Sequence, residues 1–181
     1  MIRFQFNKDG AIAATLYVLN KLGRTDFHKL FKILYFAEQK HLAQYGKPIT
    51  GDDYIAMTAG PVPSTIYDIL KAVKFQREYP IDWREYHKFL NVEGNHFVVA
   101  LQKAEQDFLS ESQIAVLDES INDNKDLSFS QLKDKSHDLA WGNAESNFTI
   151  SYSDLAECGG ADNVMIAYLK IVSENQTAKL I

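Results

Sequence analysis

The chain of 181 residues predicts a mainly helical α+β domain, compact around one central buried helix, with a small β-sheet or hairpin inserted in its middle. Three observations lead there. The stretch "KILYFAEQKHLAQYGKP" (32–48) and the residues just before it have helical patterning but carry apolar side chains on more than one face, as a helix packed on several sides does. "FLNVEGNHFVVAL" sets alternating or β-branched residues about Glu93-Gly94-Asn95, a hairpin signal. Helix-start signatures, a serine with a polar side chain three places on, then recur at Ser110, Ser128 and Ser151.

Taken in order, "DGAIAATLYVLNKLG" puts Ile12, Leu16 and Leu19 on one face and Thr15, Val18 and Leu22 on the next. That is a first helix, closed by Gly23 as a left-handed cap. Thr25 or Asp26 caps the second helix. Its main stripe is Phe27, Leu30, Phe31, Leu34, Ala37, His41, Leu42 and Tyr45, with Ile33, Tyr35 and Phe36 off it, and Gly46 ends it. "KPITGDDYIAMTAGPVP" reads as two short extended pieces about a turn at Gly51–Asp52, with Tyr54–Met57 a buried strand that Gly60-Pro61 breaks. Pro63 and Ser64 open a third helix buried through Ile66, Ile69, Leu70 and Val73, and a loop runs from Phe75 to Trp83. Ser110 with Gln113 and Ser128 with Gln131 match the capping box, and Ser151 with Asp154 is a variant. Ile114, Leu117 and Ile121 pack one later helix, and Met165, Tyr168, Leu169 and Val172 pack the last. The end, 173–181, is expected to fray. The whole, 1–181, reads as one domain, with a weak boundary near 146 that makes 146–181 a C-terminal helical extension.

Hydrophobic residues are 46% and charged residues 24% of the chain, both near the globular average. The net charge of -5 disfavours broad phosphate binding, which needs a basic face. A single cysteine, Cys158, excludes an intrachain disulfide and reads as an inert small residue. No apolar run is long enough for a membrane helix, and the expected compartment is the cytoplasm.

No catalytic signature is present: no phosphate-cradling glycine loop, no nucleophile elbow, no paired cysteines. The five histidines show no metal-ligand spacing, and neither cofactor nor metal is expected. His41 falls on the main stripe of the central helix, where a buried imidazole needs partners for both nitrogens. It is either a satisfied core histidine or, with His137, part of a binding surface. Tyr35, Phe36 and Tyr67 suit a core or an interface equally. Gly60-Pro61-Val62 is a sharp corner that serves the fold or exposes backbone to a partner. Trp141 reads as a lid on the core whose indole N–H needs an acceptor.

The run "KILYFAEQKHLAQYGKPIT…YIAMTAGPVPSTIYDIL" resembles the Panacea domain, the SocA-like antitoxin family also found among phage-associated proteins. The resemblance rests on Lys32 and Leu34, Tyr35, Phe36 and Ala37, and continues through His41 and Gly46 to Gly60, Pro61, Val62 and Tyr67. A His followed by Trp, here His137 and Trp141, is a looser echo. It is dense over 28–70 and looser to about 145. The family often has Trp where this chain has Met57, and Pro where it has Ala140, both expected at surface or corner positions. The resemblance implies a non-enzymatic module that neutralises a cognate toxin encoded by an adjacent gene. One kind of member works as an adaptor delivering its toxin to a protease. It implies, too, that His41 lies at a seam between the central helix and the Gly60 corner.

Two other classes compete. The order helix, helix, strand, helix, hairpin fits a winged-helix DNA-binding regulator, but its reading helix, from Ser64 to Lys74, offers only Lys71 and Lys74 against Asp68. A small-molecule enzyme built on His41, Tyr35 or Asp53 lacks a nucleophile, metal or cofactor signature and ranks last.

Overall fold

The computed structural model describes residues 2–178 and is mainly helical, α+β. Helix α1 (Lys8–Leu22) starts where the Asn7 side chain accepts the Gly10 N–H. It is buried along ten successive residues, Gly10 to Leu19, because small side chains at Ala11, Ala13 and Ala14 let neighbours close in on every side. Gly23 has φ 74° and ψ −147°, so it is a positive-φ stop, though not the left-handed helical cap expected.

Strand β1 (Thr25–Asp26) leads into α2 (Phe27–Tyr45), and Asp26 rather than Thr25 is the cap, accepting the Lys29 N–H. Strands β2 (Tyr54–Met57) and β3 (Gly60–Pro63) precede α3 (Ser64–Phe75). Strands β4 (Leu90–Glu93) and β5 (Phe97–Ala100) follow, then α4 (Glu111–Asn124), α5 (Phe129–Ser136), α6 (Leu139–Asn143), α7 (Tyr152–Cys158) and α8 (Asn163–Ala178). Both expected capping boxes, at Ser110 and Ser128, are formed.

α2 is the central element. It packs against α1, α4, α5, α7, α8 and β3, and it feeds two apolar clusters. Leu30, Phe31, Ile33, Leu34 and Ala37 join α1, α3, α4 and the β4–β5 hairpin. Tyr35 and Leu42 join Tyr54, Ala140, Ile150, Tyr152, Leu155 and Leu169. The fit is close where α2 meets α7 and α8. A Cβ on Gly159, after α7, would meet the Gln39 carbonyl oxygen at 2.0 Å, and one on Gly46 would meet the Tyr168 ring at 2.4 Å. Gly46 ends α2 in the left-handed conformation, as expected (φ 64°). Tyr45, placed on the buried stripe by periodicity, is 45% exposed because the helix ends beyond its neighbours there.

Two antiparallel sheets form. One is three-stranded, in the order β1-β5-β4, with Val92 opposite Val98 and Thr25 opposite Val98 on the other side. The other is the β2–β3 hairpin, with Ala56 opposite Pro61 and Tyr54 opposite Pro63. Gly60-Pro61 therefore does not break the strand; it starts its partner. The prolines are tolerated because strand side and backbone direction alternate. Ser64 N donates to Asp53 O, so the residues two and four places earlier face β2, and Pro61 and Pro63, which lack an N–H, face away. The other edge of β2 is covered by 147–150, through Ala56 N to Phe148 O and Ile150 N to Tyr54 O. At the C-terminus, helix α8 runs through 173–178, where fraying was expected, and Ser173 Oγ bonds both the N–H and the carbonyl of Arg3. Residues 179–181 lie outside the described residues.

Candidate functional site

The corner residues meet around the β2–β3 hairpin, and α2 holds them from below. Gly60 has φ +96°, and a Cβ there would strike Ser136 Oγ at 2.4 Å and Lys32 Cε at 2.8 Å, so only glycine fits. Lys32 is 1% exposed, and its Nζ donates to the Pro61 carbonyl at 2.9 Å. Burial pulls the Lys32 ammonium down to about 7, since charge is disfavoured away from water.

On the far side of the hairpin, Trp141 Nε1 donates to Met57 O at 3.0 Å, the acceptor its indole needed. The His137 ring lies flat on the Trp141 ring, with centroids 3.8 Å apart. His137 Nε2 is buried with no hydrogen-bond partner among the described residues, and burial, with Lys133 and Lys32 adding repulsion, holds that imidazole below its ordinary value. The helix carrying Trp141, α6, is capped by Asp138, whose carboxylate accepts the Trp141 N–H, the Gln39 amide and the Tyr35 hydroxyl (3.0, 2.8 and 2.9 Å). Tyr35 is thus held in the interior, and burial beside Asp138 raises its hydroxyl far above the usual range. Leu34 and Ala37 are plain core, while Phe36 is half-buried under the Lys135 ammonium.

Beside the hairpin lies a recess of about 630 Å³, walled by Phe31, Val62, Tyr67, Phe129 and Leu132, with Lys32 also on its lining. Phe129 is 56% exposed at its rim and stacks on His28, whose Nε2 meets Ala59 O at 3.1 Å. Tyr67 sets its edge against Phe27 and Phe31. Gly60, Pro61, Val62, Tyr67, His137 and Trp141 are therefore brought together around one hairpin.

His41 is not among them. Its Nδ1 meets Lys47 O at 2.7 Å and its Nε2 meets Ser112 Oγ at 3.1 Å, so at 3% exposure it staples the end of α2 to α4 rather than marking a seam with the Gly60 corner. Cys158 is half-buried with its thiol pushed up by burial, and its Sγ accepts the Ala140 N–H. Among the described residues no group of three or more His, Cys, Asp or Glu could hold a metal ion, and no helix is long and apolar enough to cross a membrane.

A family model, antitoxin SocA-like, Panacea domain, matches residues 30–142. The chain belongs to that family. Comparisons with curated proteins and with solved structures gave no match. The Panacea match runs from within α2 into α6, so it takes in Lys32, the hairpin, the His137–Trp141 stack and the recess apart from its lining at 26–29. Of the two departures from the common pattern, Met57 is half-buried at the hairpin end, but Ala140 is fully buried, not at a surface, because α6 is pressed onto α7 there.

Periodicity did not single out Lys32, Asp138, His28 or Phe129. The first carried a signal: a charge inside a helix apolar on several faces must find a partner. Asp138 carried another, three places before Trp141, where an N-cap stands.

Proposed function

We propose that this antitoxin-family protein neutralises a cognate toxin by binding it directly, and that the toxin docks on the face formed by the β2–β3 hairpin and the start of α5. The observation that carries this reading is the recess beside the hairpin, with half-exposed Phe129 on its rim and Val62 and Tyr67 in its walls. Concave apolar pockets with aromatic rims are where interface anchors concentrate their binding energy. The protein acts here as a binding module and not as an enzyme. Tyr67 also supports Phe27 and Phe31, so Phe129→Ala and Val62→Asp are the sharper tests. With the toxin encoded by the adjacent gene co-expressed, at least one of them is expected to lose ~2 kcal/mol or more in toxin affinity while the melting temperature of the isolated chain is largely kept. Full affinity in both variants would move the interface elsewhere.

A second reading, DNA binding, is favoured by one observation. Helices α1, α2 and α3 with a sheet in the order β1-β5-β4 follow a winged-helix plan, the β2–β3 hairpin being an insertion between its second and third helices. The charges on α3 argue against it: Lys71 pairs with Asp68 at 2.6 Å, and Lys74 is tied to Asn95 O at 2.9 Å.

A further inference from the structure

Lys32 raises a question that the hairpin alone does not answer. Its ammonium has three N–H donors, and among the described residues Pro61 O is the one acceptor that reaches it. No carboxylate among those residues forms an ion pair with it; desolvation alone is what shifts its proton affinity. A buried charge without a counter-ion is costly, and a simple prop for the Pro61 carbonyl needs no charge. Lys32, 1% exposed, is among the residues lining a cavity of about 630 Å³, a volume within the ~300–1,000 Å³ typical of small-molecule sites. The walls are aromatic and aliphatic: Phe31, Val62, Tyr67, Phe97, Phe129 and Leu132. The other acidic, basic and histidine side chains on the lining are Asp26, His28, Lys29 and His96. Asp26 is spent on the α2 cap, His28 on Ala59 O and Lys29 on Lys125 O. His137, behind the hairpin, feels the Lys32 charge as repulsion.

We propose that the recess is a binding site for a small apolar acid, an aromatic or branched hydrocarbon body whose carboxylate pairs with Lys32. The hydrocarbon displaces water from the walls, and the carboxylate supplies both the missing counter-charge and acceptors for the free N–H donors. The site shares Val62, Tyr67 and Phe129 with the proposed toxin face, but the proposal does not rest on toxin docking, and its test uses no toxin.

The test titrates the full chain at about pH 6, where Lys32, its pKa lowered by burial to about 7, is mostly charged before ligand arrives. The probes are 3-phenylpropionate and its neutral amide, followed through the methyl resonances of Val62, Leu127 and Leu132. The acid is expected to bind at least about tenfold more tightly than the amide. Lys32→Met keeps the chain length and removes the charge, and it is expected to abolish that preference. Val62→Phe narrows the recess and leaves the ammonium in place, so it is expected to weaken both probes even if Lys32→Met does not fold. Equal affinity of acid and amide for the wild type, binding of neither, a preference that survives in Lys32→Met, or full acid affinity in Val62→Phe would overturn the proposal.

Discussion

Helix α2 buries two charged side chains, Lys32 and Glu38, and the fold treats them oppositely. Glu38 is fully buried, yet its carboxylate accepts from the N–H groups of Ile49 (3.2 Å), Thr50 (3.2 Å) and Gly51 (3.4 Å), and from Thr50 Oγ1. Those donors favour the ionised form, but desolvation outweighs them and lifts the group to about 7 from 4.5. Between those two values the folded chain holds more protons than the unfolded one, so Glu38 makes stability fall as pH rises from 4.5 to about 7, with no further change above. The full loss is about 3 kcal/mol. Glu38→Gln cannot titrate, so the stability of wild type relative to that variant is expected to drop by this order across the window in urea unfolding; a pH-independent difference would refute the buried, raised carboxylate. At this scale the sequence revealed identities but not environments. His41 read as either a satisfied core histidine or part of a binding surface, and Lys47 O and Ser112 Oγ, which take both its nitrogens, fit the first. Those partners lie 6 and 71 residues away, and the second cannot be reached by any local pattern.

At the scale of elements, α2 was the most readable part of the chain, because apolar side chains on several faces admit only a helix wrapped by others. Leu34 is 1% exposed in its core. Leu34→Ala is therefore expected to cost ~2–5 kcal/mol and to lower the melting temperature by many degrees; a melt unchanged within a degree or two would contradict the central packing of α2. Gly159 gives an independent check of the α2–α7 contact. Its φ of −74° suits any residue, so the objection to a side chain is purely steric: the Cβ would stand 2.0 Å from Gln39 O. Gly159→Ala is expected to destabilise by ~1–3 kcal/mol, read by denaturant unfolding, and a neutral effect would mean that α7 sits more loosely than described. Strand β3 was hidden for a different reason. Gly60-Pro61 read as a break and Pro63 as a helix start, since the sequence does not say which backbone edge will face a partner. Helix α6, five residues long, is too short to show a period, and beyond capping it Asp138 binds Tyr35 and Gln39, about a hundred residues earlier, which no local pattern reveals.

For the whole molecule, the element order resembles a winged helix while the charge does not suit nucleic acid. The net charge is -5, and both lysines of α3 are already engaged. In a gel shift on its own promoter at physiological salt, the isolated protein is expected to show no saturable, competitor-resistant complex, because too few free cations face the phosphates; such a complex would promote the second reading above toxin binding.

By itself the sequence determined the helical α+β class, the central helix, the caps at Ser110 and Ser128, and the family, because all of these are written in local spacing. Only the tertiary structure decided that Gly60-Pro61-Val62 is a strand, that His41 belongs to the core, and that Lys32 is buried beneath the hairpin, bonded to the Pro61 carbonyl and on the lining of an aromatic recess. The physical reason is that a buried polar group is defined by the acceptors and walls around it. For Lys32 the acceptor comes from β3, and the walls come from β3, α3, β5 and α5 as well as from α2 itself, segments up to 100 residues further along the chain, whose convergence depends on how the helices pack.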